Sequence, residues 1–348
     1  MRLPRVLATI AAVSMISLAA CGSDDNATTS TSANTSASTT SSSAASSSTT
    51  PSGSDAPTTT ASTATTGESV PTSSAPSTDA PTTDPAPIED KIVVIGEEYL
   101  LADLLALDVV PFASTATVAD KGFQGLDAYD TSGIQILPAT TLNVEALATM
   151  APDRIIILNF FANEVGEDLL NGIAPTTVIP DGLTPEQLIT IYGEMFDRKA
   201  QADALIAELD AARADATAAL SGLSVSAATI YSGPSLAAYV SGPWTVPQTL
   251  LDAGATLVPD PSQVEPDRNG RGWLSLEQIG LLSAPQLLLF QTETVDGEDA
   301  AIEAIEANPL WAQLPAVKSG DVTTFDRLGY PGIEGRVRLI ADLIAALA

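Results

Sequence analysis

Histidine does not occur in this 348-residue chain. That removes the commonest protein ligand for zinc, copper and haem iron, and the commonest general base. It also excludes Ser-His-Asp and Cys-His catalysis. Cysteine occurs once, at Cys21, so no intrachain disulfide can form. Basic residues are scarce: 14 Lys and Arg face 43 Asp and Glu, for a formal net charge of -29. Nucleic-acid binding is excluded on that balance, because phosphate contacts need clustered cations. Adsorption to anionic lipid is excluded for the same reason. Aromatic residues are missing from Ser23 to Pro87, a tract of Ser, Thr, Ala, Pro and Asp. Such a tract cannot bury enough apolar surface to offset its ordering entropy, so disorder is expected there.

The first residues read as an export address. Arg2 and Arg5 precede an apolar run, Val6–Leu18, that is short for a membrane span. The run ends in Leu18-Ala19-Ala20-Cys21-Gly22, which resembles the lipobox of bacterial lipoproteins. The resemblance implies a signal peptide over residues 1–20 and lipidation of Cys21, with palmitate among the acyl chains. An ordinary signal peptide with an incidental cysteine is the competing reading. Residues 21–89 then form a lipidated start and a tether. Roughly 65 flexible residues reach about 40–50 Å on chain-scaling arguments.

From Asp90 onward apolar runs are dense, enough for two lobes. Lys91–Gly96, Val109–Phe112, Ile134–Leu137, Ile155–Leu158 and Val178–Ile179 read as short strands. They alternate with helical stretches at Leu100–Leu107 and Asn143–Met150, which argues for a parallel α/β sheet in residues 90–183. Thr184 to about Leu220 keeps helical spacing throughout. Residues 184–221 are therefore expected to form one long connecting helix; two helices with a kink near Gly193 are the alternative. Residues 222–348 repeat the α/β logic. Strands are expected at Ala228–Tyr231, Leu287–Phe290 and Val322–Phe325, and helices at Pro247–Ala253, Leu276–Leu282, Ala300–Ala307 and Val337–Ala346.

Asn143–Ile157 and Ser275–Leu289 share one pattern. Each runs from a capping residue through a glutamate, an amphipathic turn and a proline into a buried strand. With Leu107–Ala113, Ala174–Ile179 and Asn308–Phe325, these segments resemble the type III periplasmic binding proteins, the family serving iron–siderophore and vitamin B12 importers. The resemblance spans essentially residues 90–348. It implies an α/β fold of two Rossmann-like lobes joined by one long helix, with the ligand cleft between the lobes. It further implies that Glu145 and Glu277, one per lobe, dock on arginines of an ABC permease, which works with its ATPase. Their competing role is to complement a helix N-terminus. The implied protein is an exported, lipid-anchored monomer that captures a ferric siderophore and needs no resident cofactor or metal. A cobalamin or haem carrier, or a non-transport surface receptor on the same scaffold, are the alternatives. No phosphate loop or nucleophile elbow supports an enzyme.

Ferric catecholates are anionic, and guanidinium groups suit them by charge and forked hydrogen bonding. Arg268, Arg271 and Arg327 are expected in cleft loops, with Trp244, Trp273, Tyr239, Tyr330 and Tyr129 as aromatic walls. The loop holding Arg271 and Trp273 is taken as Asn269–Trp273. The competing reading pairs these arginines with acids such as Asp267 or Asp326.

Overall fold

The structure, a computed structural model, describes residues 87–139, 142–233, 235–242 and 245–348. The signal segment, Cys21 and nearly all of the tether lie outside the described residues.

The first lobe begins with β1 (Ile92–Ile95), α1 (Glu98–Leu105), β2 (Ala113–Ala116) and β3 (Gln135–Pro138). It continues through α2 (Val144–Met150), β4 (Arg154–Leu158), α3 (Asn159–Val165), α4 (Glu167–Asn171) and β5 (Thr176–Ile179). The strands form a parallel sheet in the order β3-β2-β1-β4-β5. The central strands are apolar on both faces: every residue of β1 is buried, as parallel strands under helices must be. The second strand is Ala113–Ala116 rather than Val109–Phe112, four residues later than its apolar run suggests. Val109 is instead buried in the turn after α1, where its N–H donates to the Leu104 carbonyl.

The connector is two helices, α5 (Pro185–Met195) and α6 (Lys199–Leu220), so the single helix expected over 184–221 is corrected. Thr184 caps α5 with Gln187 in a reciprocal box, and Pro185 sits at the first turn. The chain breaks at Phe196-Asp197-Arg198, with Asp197 left-handed at φ 55. Aspartate tolerates that conformation better than most residues. Gly193 marks the elbow: a Cβ there would lie 2.7 Å from the Ala202 Cβ, so the two helices meet at backbone distance. α6, at 22 residues, is the long helix between the lobes.

The second lobe holds β6 (Ser224–Tyr231), β7 (Ser235–Tyr239), α7 (Thr245–Asp252), β8 (Thr256–Leu257) and β9 (Arg271–Leu274). A 3-10 helix over Leu276–Leu281 precedes β10 (Gln286–Gln291) and α8 (Glu298–Glu306). α9 (Pro315–Ser319), β11 (Val322–Asp326) and α10 (Gly332–Leu347) complete the chain. The sheet order is β11-β10-β6-β7-β9, with β8 beside β6. β7 runs antiparallel to both its neighbours, so this sheet is mixed. Arg271–Leu274 is a strand of it, not the loop expected from the glycines at 270 and 272. The helix expected over Leu276–Leu282 is a 3-10 helix, boxed by Ser275 and Gln278.

α10 returns across the molecule and packs on α6, α5 and α1. The seam between the lobes is close. A Cβ on Gly125 would meet the Leu328 carbonyl oxygen at 2.6 Å, and one on Gly332 would meet the Asp103 carboxylate at 2.7 Å. Arg338 crosses it, donating to the carbonyls of Gly125 and Gly329.

Candidate functional site

One face of the second sheet carries an aromatic and cationic series that ends at the strand termini. Residues on neighbouring strands in register share that face: Thr229 and Tyr231 on β6, Ala237 and Tyr239 on β7, Arg271 and Trp273 on β9, Phe290 on β10 and Phe325 on β11. Its inner part is core. Tyr239 is 7% exposed and meets Phe290 edge-on at 6.0 Å, and Phe290 stacks on Phe325 at 5.0 Å. Tyr239 is therefore a packing residue and not the cleft wall expected of it; burial also pushes its phenol well above the ordinary value.

The outer part is different. Tyr231 closes β6, with Arg327 stacked at 4.5 Å from its ring centroid and Arg271 at 5.6 Å. Arg271 also donates to the Tyr231 hydroxyl at 2.9 Å. Trp273 lies 5.6 Å from Tyr231 and 5.2 Å from the Arg271 guanidinium, and is 45% exposed. Two guanidinium groups, a phenol and an open indole thus converge at the end of the sheet where α/β folds seat ligands.

Local chain chemistry fixes this group. Asp267 Oδ1 accepts from the N–H of Asn269 at 2.8 Å and of Arg271 at 3.0 Å, an Asx-type turn. Its Oδ2 accepts from Arg271 Nε at 3.1 Å and Trp273 Nε1 at 3.0 Å. Burial works against the Asp267 carboxylate, but these donors and the Arg271 charge outweigh it and hold its pKa below the ordinary value. Gly270, at φ 74, lets the turn press on Ser241; a Cβ there would sit 1.9 Å from the Ser241 carbonyl oxygen. Arg327 is held by Glu298, the first residue of α8. Its partner is not Asp326, whose carboxylate accepts from the Leu328 N–H at 2.9 Å.

The other expected residues are placed as follows. Arg268 is exposed beside this cluster in sequence. Tyr330 is half-buried, tilted against Phe325, and donates to Asp342 at 2.8 Å. Tyr129, in the first lobe, donates to Glu334 of α10 and so ties the lobes together. Trp244 lies outside the described residues. Glu145 is exposed in the first turn of α2, which Asn143 caps by accepting from the Ala146 N–H at 3.0 Å. Glu277 is exposed in the first turn of the 3-10 helix; its own backbone N–H and the Ser275 hydroxyl hold its carboxyl below the ordinary value. Among the described residues no three His, Cys, Asp or Glu side chains gather as a metal set, and no helix is long and apolar enough to cross a membrane.

Residues 92–327 match the family described as periplasmic binding protein. The chain belongs to that family. Solved structures agree with this periplasmic binding protein in fold. SirA of Staphylococcus aureus, complexed with staphyloferrin B, aligns at TM-score 0.62 and 19% identity over 75% of this chain and 94% of its own. FeuA of Bacillus subtilis, a triscatecholate siderophore binding protein complexed with ferri-bacillibactin, aligns at 0.62 and 18% over 76% and 93%. The siderophore periplasmic binding protein of the fuscachelin gene cluster of Thermobifida fusca aligns at 0.61 and 19% over 74% and 96%. No curated protein matches the chain. Family membership makes this an extracytoplasmic substrate-binding protein of two α/β lobes with a cleft between them.

Tyr231, the residue that both arginines face, belongs to no sequence motif. Its place as the last residue of an apolar strand, at the carboxyl end of the sheet, was the available signal. Glu298 carries no local signal, because its partner lies 29 residues further on.

Proposed function

We propose that this protein is the substrate-binding lipoprotein of an ABC importer, anchored through Cys21, and that it captures a ferric siderophore and presents it to the permease through Glu145 and Glu277. The observation that carries this reading is the Arg271–Tyr231–Arg327 stack with the open Trp273 beside it. Guanidinium and aromatic faces suit a large, planar-ringed, oxygen-rich chelate. The printed ligands of SirA and FeuA are siderophores, which supports the same class here. Glu145 and Glu277 repeat one local design, a capped first turn presenting an exposed carboxylate, in the two lobes. Two separated charges of that kind steer and orient a docking partner with little effect on affinity for the cargo.

Uptake of radiolabelled iron, supplied as the chelate the protein binds, tests this in cells that rely on it. The double variant Glu145→Ala/Glu277→Ala is expected to bind the chelate as the wild type does and to lose uptake at least tenfold. Undiminished uptake by that variant would remove the docking role.

A further inference from the structure

We propose that Glu298 sets the charge of the ligand this cleft accepts, biasing it toward an iron chelate of low net charge and against a polyanionic one. The inference rests on the reading of the cleft as the chelate site. Arg327 meets the cleft already neutralised. Its Nη2 donates to Glu298, whose side chain is 2% exposed and cannot be displaced into water without opening the start of α8. Arg271 is neutralised likewise by Asp267 at 3.1 Å.

The two carboxylates are not equivalent. Asp267 is partly open and spends both oxygens on four N–H donors. Glu298 uses one oxygen only. Its Oε2, the Arg327 Nε and the Gln291 Oε1 are all buried without a hydrogen-bond partner. Glu298 thus keeps its charge in a buried place against Arg327, where solvent screens it least. The strand ends of the facing lobe carry more acids than cations. Glu97 and Glu98 follow β1 and Asp181 follows β5, three carboxylates, while the segment after β2 carries Asp120 and Lys121. A trianion entering between these rims meets guanidinium groups that are already paired with carboxylates. Removing one negative charge at a few ångströms from such a ligand shifts its affinity by about tenfold or more and leaves an uncharged chelate nearly unmoved.

Isothermal titration of the purified protein with two probes, an uncharged ferric tris-hydroxamate and a trianionic ferric tris-catecholate, tests this. The wild type is expected to favour the uncharged probe at least tenfold. Glu298→Gln, which keeps an acceptor for Arg327 but removes the charge, is expected to shift that ratio at least tenfold toward the trianion, and Glu298→Asp is expected to keep the wild-type ratio. A wild-type preference for the trianion, or an unchanged ratio in folded E298Q, overturns the inference and leaves chelate capture standing. Binding of neither probe, nor of ferric citrate, by the wild type overturns both. Should E298Q fail to fold, the wild-type ratio decides alone.

Discussion

Asp267 is the residue on which the candidate site turns. One carboxylate shapes its own turn, aims the Arg271 guanidinium and pins the Trp273 indole. Charge-assisted hydrogen bonds contribute about 1.5–3 kcal/mol when buried, and solvent contact reduces that here. Asp267→Ala is expected to cost about 1–2 kcal/mol of stability, read as a lower midpoint in urea, and to weaken chelate binding by freeing both ligand-facing side chains. Asp267→Asn keeps an acceptor for the turn and should recover most of the stability but not the binding. Equal stability and binding in all three proteins would show that the turn holds itself. The sequence points to this neighbourhood through Arg271, Arg327 and Trp273, since arginines are few in an acidic chain. It does not separate Trp273, which is open, from Tyr239, which is core, because both stand in short runs of small and apolar residues. Only the pairing of strands decides that: Tyr239 lies inside the sheet against Phe290, whereas Trp273 stands on the edge strand β9.

Among the elements, α1 and α10 hold the lobes together through a buried carboxyl group. Asp103 of α1 is 1% exposed and accepts from the Ile333 N–H of α10 at 2.7 Å. Burial pushes its pKa up to about 7; Glu334 adds to the rise, while the Ile333 amide and Arg336 oppose it. The folded value lies above the unfolded value of 3.8, so the fold favours the protonated acid. This group's contribution is most favourable below about pH 4 and is lost as pH rises toward 7. Asp103→Asn keeps an acceptor for the Ile333 amide and removes the charge. It should raise Tm at pH 8 by more than at pH 4, flattening the profile between them; an equal shift at both would show that Asp103 stays ionised throughout. Elements of this kind were legible where periodicity is local. β1, β4, α2 and α10 fall close to their apolar runs. The connector break was legible only as the alternative marked by Gly193, because helical spacing resumes after Phe196-Asp197-Arg198 and those three residues carry neither glycine nor proline. β7 and β9 were not, because Ser235–Tyr239 and Arg271–Leu274 are short, glycine-flanked and stabilised by each other.

At the scale of the molecule, the family fold is carried by the repeated glutamate–proline–strand design and by a long helix between two α/β blocks, all of them local sequence features. The cleft is legible only in part, since its polar contacts join residues far apart in the chain: the ion pair of Arg327 with Glu298, and the hydrogen bond from Tyr129 to Glu334. The central claim is that an iron chelate binds against Arg271, Tyr231 and Arg327. Trp273 lies within that group and is open to solvent, so it serves as its own reporter. The deciding measurement is tryptophan fluorescence quenching of the purified protein titrated with ferric hydroxamate, ferric catecholate, ferric citrate, cobalamin and haemin. Saturable, submicromolar quenching by an iron chelate is expected, weakening at least tenfold in Arg271→Ala and in Arg327→Ala. Quenching by cobalamin or haemin alone, or chelate binding that both variants retain in full, would contradict it.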